Sequence, residues 1–250
     1  MAGHSKWANI KHKKAREDAK RGKIWSKCSK AIMVAAKNGG PDPATNLALR
    51  YAIDEAKSAN MPKDNIERAI NKGAGIGNDG ASFEEVRYEG YGPAGVAFIV
   101  DCLTDNRQRT APDVRSLFAK AGGNLGTANS VAFMFESKGQ IFLEQSAASE
   151  EQLMELALEA GADDITLDDG AWTVTTAPED YLTVKETIQN AGLEISSSEL
   201  AMLPTNDAPV AGDEVAKVVR LIDNLEDHDD VQKVFTNMDA SADDLAAAVG

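Results

Sequence analysis

QIFLEQSAASEEQLMELALEAGADDITLDDGAWTVTT, residues 140–176, is the stretch on which the fold turns. It opens on a strand-length apolar run (140–144), continues through a helical pattern (149–160) and returns as the strand DITLD (164–168). Asp169-Gly170 is a hairpin turn signal, and AWTVTT (171–176) is the strand that follows it. A helix over 178–191 and a strand within LEISSSELAML (193–203) complete the order β-α-β-β-α-β. That is the ferredoxin-like order.

Upstream of this unit, FEEVRYEG (83–90) and GVAFIVDCLT (95–104) read as strands joined at Gly92-Pro93. A helix is expected from about Ala111 to Ala121, with Pro112 in its first turn and Gly122-Gly123 closing it. SVAFMFES (130–137) reads as a further strand. Downstream, a Pro- and Gly-bearing link (204–212) leads to a helix over 213–225 and a strand in VQKVFTN (231–237). These flanking strands lack partners when taken separately. The simplest arrangement joins 81–137 to 205–250 as one α/β domain, with 138–204 inserted in it.

The first third reads as helices. Ile24, Cys28, Ala31, Ile32, Ala35 and Ala36 recur at helical spacing, and Gly39-Gly40-Pro41 stops that helix. A second helix is expected from Pro43 to Ala59, with Leu47, Tyr51, Ala52 and Ala56 on its apolar side. A third begins near Pro62, carries a D-x-x-E start signal (Asp64, Glu67) and stops at Gly73. GAGIGNDGAS (73–82) then reads as a flexible linker. The fold class expected is α+β in three domains: a helical bundle (1–80), an α/β domain (81–137 with 205–250) and the insert (138–204).

Charge divides the chain more sharply than any other property. Its formal net charge is −14, yet the first thirty residues hold ten Lys or Arg against Glu17 and Asp18. Residues 1–80 carry 16 basic and 8 acidic side chains, and residues 81–250 carry 10 and 32. Such asymmetry suits one part made for a polyanion and another that keeps its distance. Projected on a helix, Lys13, Arg16, Lys20, Lys23, Lys27, Lys30 and Lys37 fall within an arc of about 120°. Lys6, Lys11, Lys14 and Arg21 extend the basic segment, and His4 and His12 add partial cations. Gly22 would cost about 1 kcal/mol inside a helix, so the helix is expected to start near Lys23 behind a flexible arm. A merely solvated face would mix signs through i,i+4 pairs, which this segment does not do. Nucleic acid is the expected partner, with Trp7 placed either to stack on a base or to anchor the arm. Trp25 falls on the apolar side and reads as core. The stripe is lysine-dominated, and lysines contact phosphate, which positions a protein without specifying sequence.

A second candidate anion contact lies in LTDNRQRTAPDVR (103–115), where Asn106, Arg107 and Arg109 occupy a loop between strand and helix. Ion pairing of these arginines with Asp105 and Asp113 is the competing reading. AGGNLG (121–126) and GAGIG lack the context of a phosphate-cradling loop. Only three histidines occur; His228 sits among Asp227, Asp229 and Asp230, which read as a solvated acidic turn rather than a metal site. No catalytic motif is present, so the chain is not expected to be an enzyme or to need a cofactor or metal. Cys28 and Cys102 stand far apart, outside any C-x-x-C pattern, so neither disulfide nor zinc is expected. No apolar run approaches the ~18 residues of a membrane span, and the basic start lacks an apolar segment behind it. The expectation is a cytoplasmic monomer that begins at its own first residue and has no membrane contact.

AGHSKWANIKHKK (2–14), NMPKDNIERAINKGAG (60–75), YEGYGPAGVAFIVDCLTDNRQRT (88–110) and GGNLGTANSVAFMFE (122–136) together resemble the YebC family, which includes the mitochondrial translational activator of cytochrome c oxidase. The resemblance runs collinearly over essentially the whole chain. Ala94 departs from it, standing where a second glycine is common, as do Ala128-Asn129, which replace smaller residues. It implies a helical N-terminal bundle followed by two ferredoxin-like α/β domains, the third domain inserted within the second. It also implies one of two activities: regulation of transcription on DNA, or action in translation on the ribosome, including relief of stalling at proline-rich stretches. The lysine-dominated stripe favours structured RNA on the ribosome. A DNA-binding transcriptional regulator is the alternative, and a protein-binding adaptor is a third reading.

Overall fold

The computed structural model describes residues 21–76, 83–168 and 170–249. These divide into two compact units, one formed by residues from 21–130 and 217–234, the other by 131–216 and 235–249. The expected arm and residue 169 of the hairpin turn lie outside the described residues, as does 77–82 of the linker.

In the first unit, three helices build a bundle: α1 (Arg21–Gly39), α2 (Leu47–Ser58) and α3 (Lys63–Gly73). Their shared core is Cys28, Ile32, Ala35, Ala36, Leu49, Ala52, Ala56, Met61, Ile66 and Ala69. Helix α1 includes Gly22, where a later start was expected. Its indole Trp25 packs against this core and donates to Ala59 O at 3.0 Å. Helix α2 starts four residues later than expected because Asn46 caps it, accepting from Leu49 N at 3.0 Å. The same buried side chain donates to Ala35 O and Gly40 O, both at 2.8 Å, tying the end of α1 to the start of α2. Ala52 and Ala56 are buried as expected, but Leu49 takes the core place expected of Leu47, which is 40% exposed. The D-x-x-E signal does not form a cap on α3, whose N-cap is Pro62. Asp64 sits in the first turn and Glu67 pairs with Lys63 at 3.6 Å. Gly73, the last residue of α3, lies so close to α1 that a Cβ there would stand 2.8 Å from Met33 Cα.

The bundle shares its unit with a sheet. β1 (Glu84–Tyr91) and β2 (Ala97–Thr104) form an antiparallel hairpin with Glu84 opposite Thr104 and Tyr91 opposite Ala97. The short β3 (Asn124–Leu125) borders β1 and β9 (Val231–Thr236) borders β2, giving the order β3-β1-β2-β9. Its central pair is thus a direct hairpin. β2 is buried at nearly every position, and Phe98 meets Phe118 of α4 (Arg107–Lys120) edge to face at 5.5 Å. α4 begins four residues earlier than expected, so Pro112 lies within the helix rather than in its first turn.

In the second unit, β4 (Phe135–Glu144), α5 (Glu150–Glu159), β5 (Ala162–Asp168), β6 (Ala171–Thr176), α6 (Tyr181–Asn190) and β7 (Ser197–Pro204) follow in the order β-α-β-β-α-β. The sheet is antiparallel, in spatial order β5-β6-β4-β7. Residues 130–137 and 140–144, expected as two strands, are largely one: Ala132–Met134 form a 3-10 turn, and Phe135–Glu144 is a single strand whose residues 135–142 pair with β7. Gly139 does not interrupt it, because its missing Cβ makes room for the Tyr181 ring, which would otherwise stand 2.7 Å away. β8 (Ala208–Pro209) and β10 (Met238–Asp239) pair in parallel, and α8 (Ala242–Val249) completes the described chain. α7 (Asp213–Glu226) leads into β9. No helix among the described residues is long and apolar enough to cross a membrane.

Candidate nucleic-acid interface

Lys6, Trp7, Lys11, His12, Lys13, Lys14, Arg16 and Lys20 lie outside the described residues, and Arg21 is the first residue of α1. Three of the remaining stripe lysines, Lys23, Lys27 and Lys30, share a face of α1 at steps of four and three. That face meets the turn that follows α7. Lys23 Nζ donates to Asp227 O and lies 3.4 Å from Asp227 Oδ1 and 3.9 Å from Asp229 Oδ1. Lys27 Nζ donates to Glu226 O at 2.8 Å, and Lys30 Nζ to Asp229 O at 2.9 Å. The last carbonyls of a helix have no intrahelical donor and carry the negative end of its dipole. α7 has no basic residue in its own last turn, so α1 supplies the cations. Lys37, farther along, is exposed at the last turn of α1.

The firm end of this seam is Asp230, whose side chain is only 4% exposed. Its Oδ2 accepts from Arg109 Nη2 at 2.7 Å, from Thr110 Oγ1 at 2.8 Å and from Thr104 Oγ1 at 3.2 Å. Its Oδ1 lies 3.3 Å from Lys30 Nζ. Burial by itself would push this carboxyl up. The hydrogen bonds from Arg109, Thr110 and Lys30, with the charge of Lys30, outweigh burial and hold it down at about 2. The 226–230 turn is therefore not simply a solvated acidic run. His228 is likewise engaged, with Nδ1 accepting from Asp230 N at 3.2 Å and Nε2 3.5 Å from Asp113 Oδ2.

The second candidate contact stays exposed, but its arginines are paired with acids of the same chain. Asn106 caps α4, accepting from Arg109 N at 3.1 Å, so Arg107 and Arg109 stand on a helical turn rather than a loop. Arg109 is shared between Asp230 and Asp105, the latter at 3.0 Å. Arg107 is 59% exposed, with a 3.6 Å pair to Glu84. Asp230 was read only as part of a solvated acidic turn, and Thr104 and Thr110 were not singled out, since nothing local to residue 230 signals partners at 104–110. Cys28 and Cys102 are free and buried; burial, with the neighbouring acids, pushes both thiols up to about 12. Among the described residues no group of three or more His, Cys, Asp or Glu is placed to hold a metal ion.

This geometry defines a class: an α+β protein whose lysine-bearing helical bundle is seated on the acidic turn beside its own sheet. The family descriptions TACO1/YebC protein N-terminal domain and TACO1/YebC second and third domain match residues 5–76 and 83–238. A "Probable transcriptional regulatory protein" of Cupriavidus necator is 58% identical over 95% of this chain and 98% of that protein. One of the same description from Syntrophotalea carbinolica is 54% identical over the full length of both. The crystal structure of a conserved hypothetical protein from Aquifex aeolicus superposes with a TM-score of 0.79 at 44% identity, covering 90% of this chain and 92% of that one. The chain belongs to the YebC family.

Proposed function

We propose that this chain is a nucleic-acid-binding regulator of gene expression that docks through its basic N-terminal end on structured RNA of the ribosome, where it activates translation by relieving stalling. The observation that carries the reading is the concentration of ten basic residues against two acidic ones in the first thirty positions of a chain whose net charge is −14. Lysines neutralise phosphate and release counterions without reading base edges, which suits a structured backbone better than a base sequence. The strongly acidic remainder is repelled by phosphate and so favours one orientation of docking. The same reading takes the chain as a non-enzymatic cytoplasmic monomer without cofactor or metal, in three domains (1–80, 81–137 with 205–250, and 138–204). Regulation of transcription on duplex DNA is the second reading, favoured by the descriptions its relatives carry.

A truncation at residue 37 is a poor test, because it would remove Ile32, Ala35 and Ala36 from the bundle core. The cleaner variant replaces Lys6, Lys11, Lys13, Lys14, Arg16 and Lys20 with Gln in the full chain. Binding to purified ribosomes and to mixed genomic duplex fragments is measured over a salt series. Saturable ribosome binding that the variant loses, with weak duplex binding, is the expected result. Selective retention of particular duplexes with no preference for ribosomes would make the transcriptional reading correct.

A further inference from the structure

The seam between α1 and the acidic turn is graded. At one end Lys30 is 14% exposed and faces Asp230, itself 4% exposed and bound by Arg109, Thr104 and Thr110. At the other end Lys23 is 34% exposed, and its carboxylate partners Asp227 and Asp229 are 74% and 87% exposed. Ion pairs as exposed as those of Lys23 are weak and screened by salt, whereas the Lys30 end is held by a hydrogen-bonded network. The loose end is also the one that adjoins Lys20 and Arg21 in the sequence.

We infer that the turn at 226–229 is an internal stand-in for phosphate on Lys23 and Lys27, so that the chain engages its polyanion by displacing its own turn while Lys30 stays seated on Asp230. The inference rests on the RNA-docking reading above and adds a self-competing contact to it. Two features of the turn make it a fitting competitor. It offers Lys23 and Lys27 the backbone carbonyls of Asp227 and Glu226 together with a carboxylate, an oxygen-only surface such as a phosphate backbone presents. The carboxylates that face Lys23, Asp227 and Asp229, also point largely into water, so giving them up costs the chain little, while His228 between them can keep Asp113. A polyanion lying along the basic segment reaches several lysines at once and gains counterion release from each, which the short turn cannot match.

The test compares the full chain with Asp227→Asn/Asp229→Asn and with Glu179→Gln/Glu186→Gln, which makes the same change in net charge at two exposed acids of the other unit. Affinity for a labelled RNA stem-loop is measured at one fixed ionic strength, and amide hydrogen exchange of 226–231 is followed with and without that RNA. The expected result is that the first variant binds about threefold to tenfold more tightly than the unsubstituted chain while the control does not. RNA should also accelerate exchange in the turn of the unsubstituted chain. Equal affinities for all three proteins, or equal tightening in both variants with exchange in the turn unchanged by RNA, would overturn the inference and leave the docking reading standing. Absence of RNA binding by every protein would overturn both.

Discussion

Arg109 Nη2 and Asp230 Oδ2 lie 2.7 Å apart although 121 residues separate them in the chain. Asp230 thereby holds together the first turn of α4, the end of β2 through Thr104, and α1 through Lys30. Its backbone is committed too, with Leu103 N donating to Asp230 O at 2.8 Å. Truncating it to alanine removes the carboxylate on which Arg109, Thr104, Thr110 and Lys30 converge, leaving Thr110 with Asn106 O at 3.1 Å and Lys30 with Asp229 O at 2.9 Å. Asp230→Ala is expected to destabilise the protein by about 2–4 kcal/mol; the half-exposed Arg109 regains water and keeps the loss from being larger. Urea denaturation checks this as a lower midpoint at unchanged slope.

The low pKa of Asp230 has a sign that acid titration can read. Its folded value, about 2, is below the ordinary 3.8, so the native state favours the ionised form. The stabilisation is fully present above about pH 4 and is lost as pH falls through about 2. Between those limits the unsubstituted protein should lose stability more steeply than Asp230→Asn, which has no proton to take up at that site. Parallel acid slopes for the two proteins would show that the carboxylate is not the titrating group.

Ala94 occupies the left-handed region, with φ 55 and ψ 18, in the turn between β1 and β2. An L-residue there costs about 1–2 kcal/mol, of which the greater unfolded-state freedom of glycine returns part. Ala94→Gly is expected to raise stability by about 0.5–1 kcal/mol, read as a higher Tm in thermal unfolding. Asn60 and Asn129 adopt similar angles, but asparagine tolerates them better, so replacing either with glycine should gain less.

Cys28 and Cys102 should be silent toward thiol reagents in the native protein. Burial raises both to about 12, so near pH 8 each is protonated as well as enclosed. Both should react in full once the chain is unfolded in denaturant. Rapid labelling of either in the native protein would mean that the bundle core or the β1–β2 sheet opens locally.

How far the sequence can be read depends on how local the cause is. The β-α-β-β-α-β order was legible in residues 140–203 because each strand and turn is signalled within a few residues. The stop of α1 at Gly39 and the burial of Cys28 and Ile32 were legible for the same reason. The two-strand reading around Gly139 failed because a glycine that makes room for Tyr181 looks, in sequence, like one that ends a strand. Ala52 and Ala56 of α2 were rightly placed in the core, but Leu47 was taken for Leu49 because Asn46 sets the start of the helix through hydrogen bonds to the end of α1. The shared face of Lys23, Lys27 and Lys30 was legible, but the acids facing them lie some two hundred residues away, where no pattern in the first thirty positions can point. Arg107 and Arg109 were placed on a loop because a cap by Asn106 leaves no apolar period to count.

The segment 217–234 that completes the first unit has a consequence during synthesis. When the ribosome has made residues 21–130, the hairpin β1–β2 exists without the strand that borders β2, and Arg109 and Lys30 exist without Asp230. Roughly another hundred residues must emerge before that segment arrives, which at about 5–20 residues per second leaves the unit unfinished for several seconds. Throughout that interval the lysines of α1 have no acidic turn to sit on, so every nascent copy passes through a period of greatest basicity while still tethered to the ribosome.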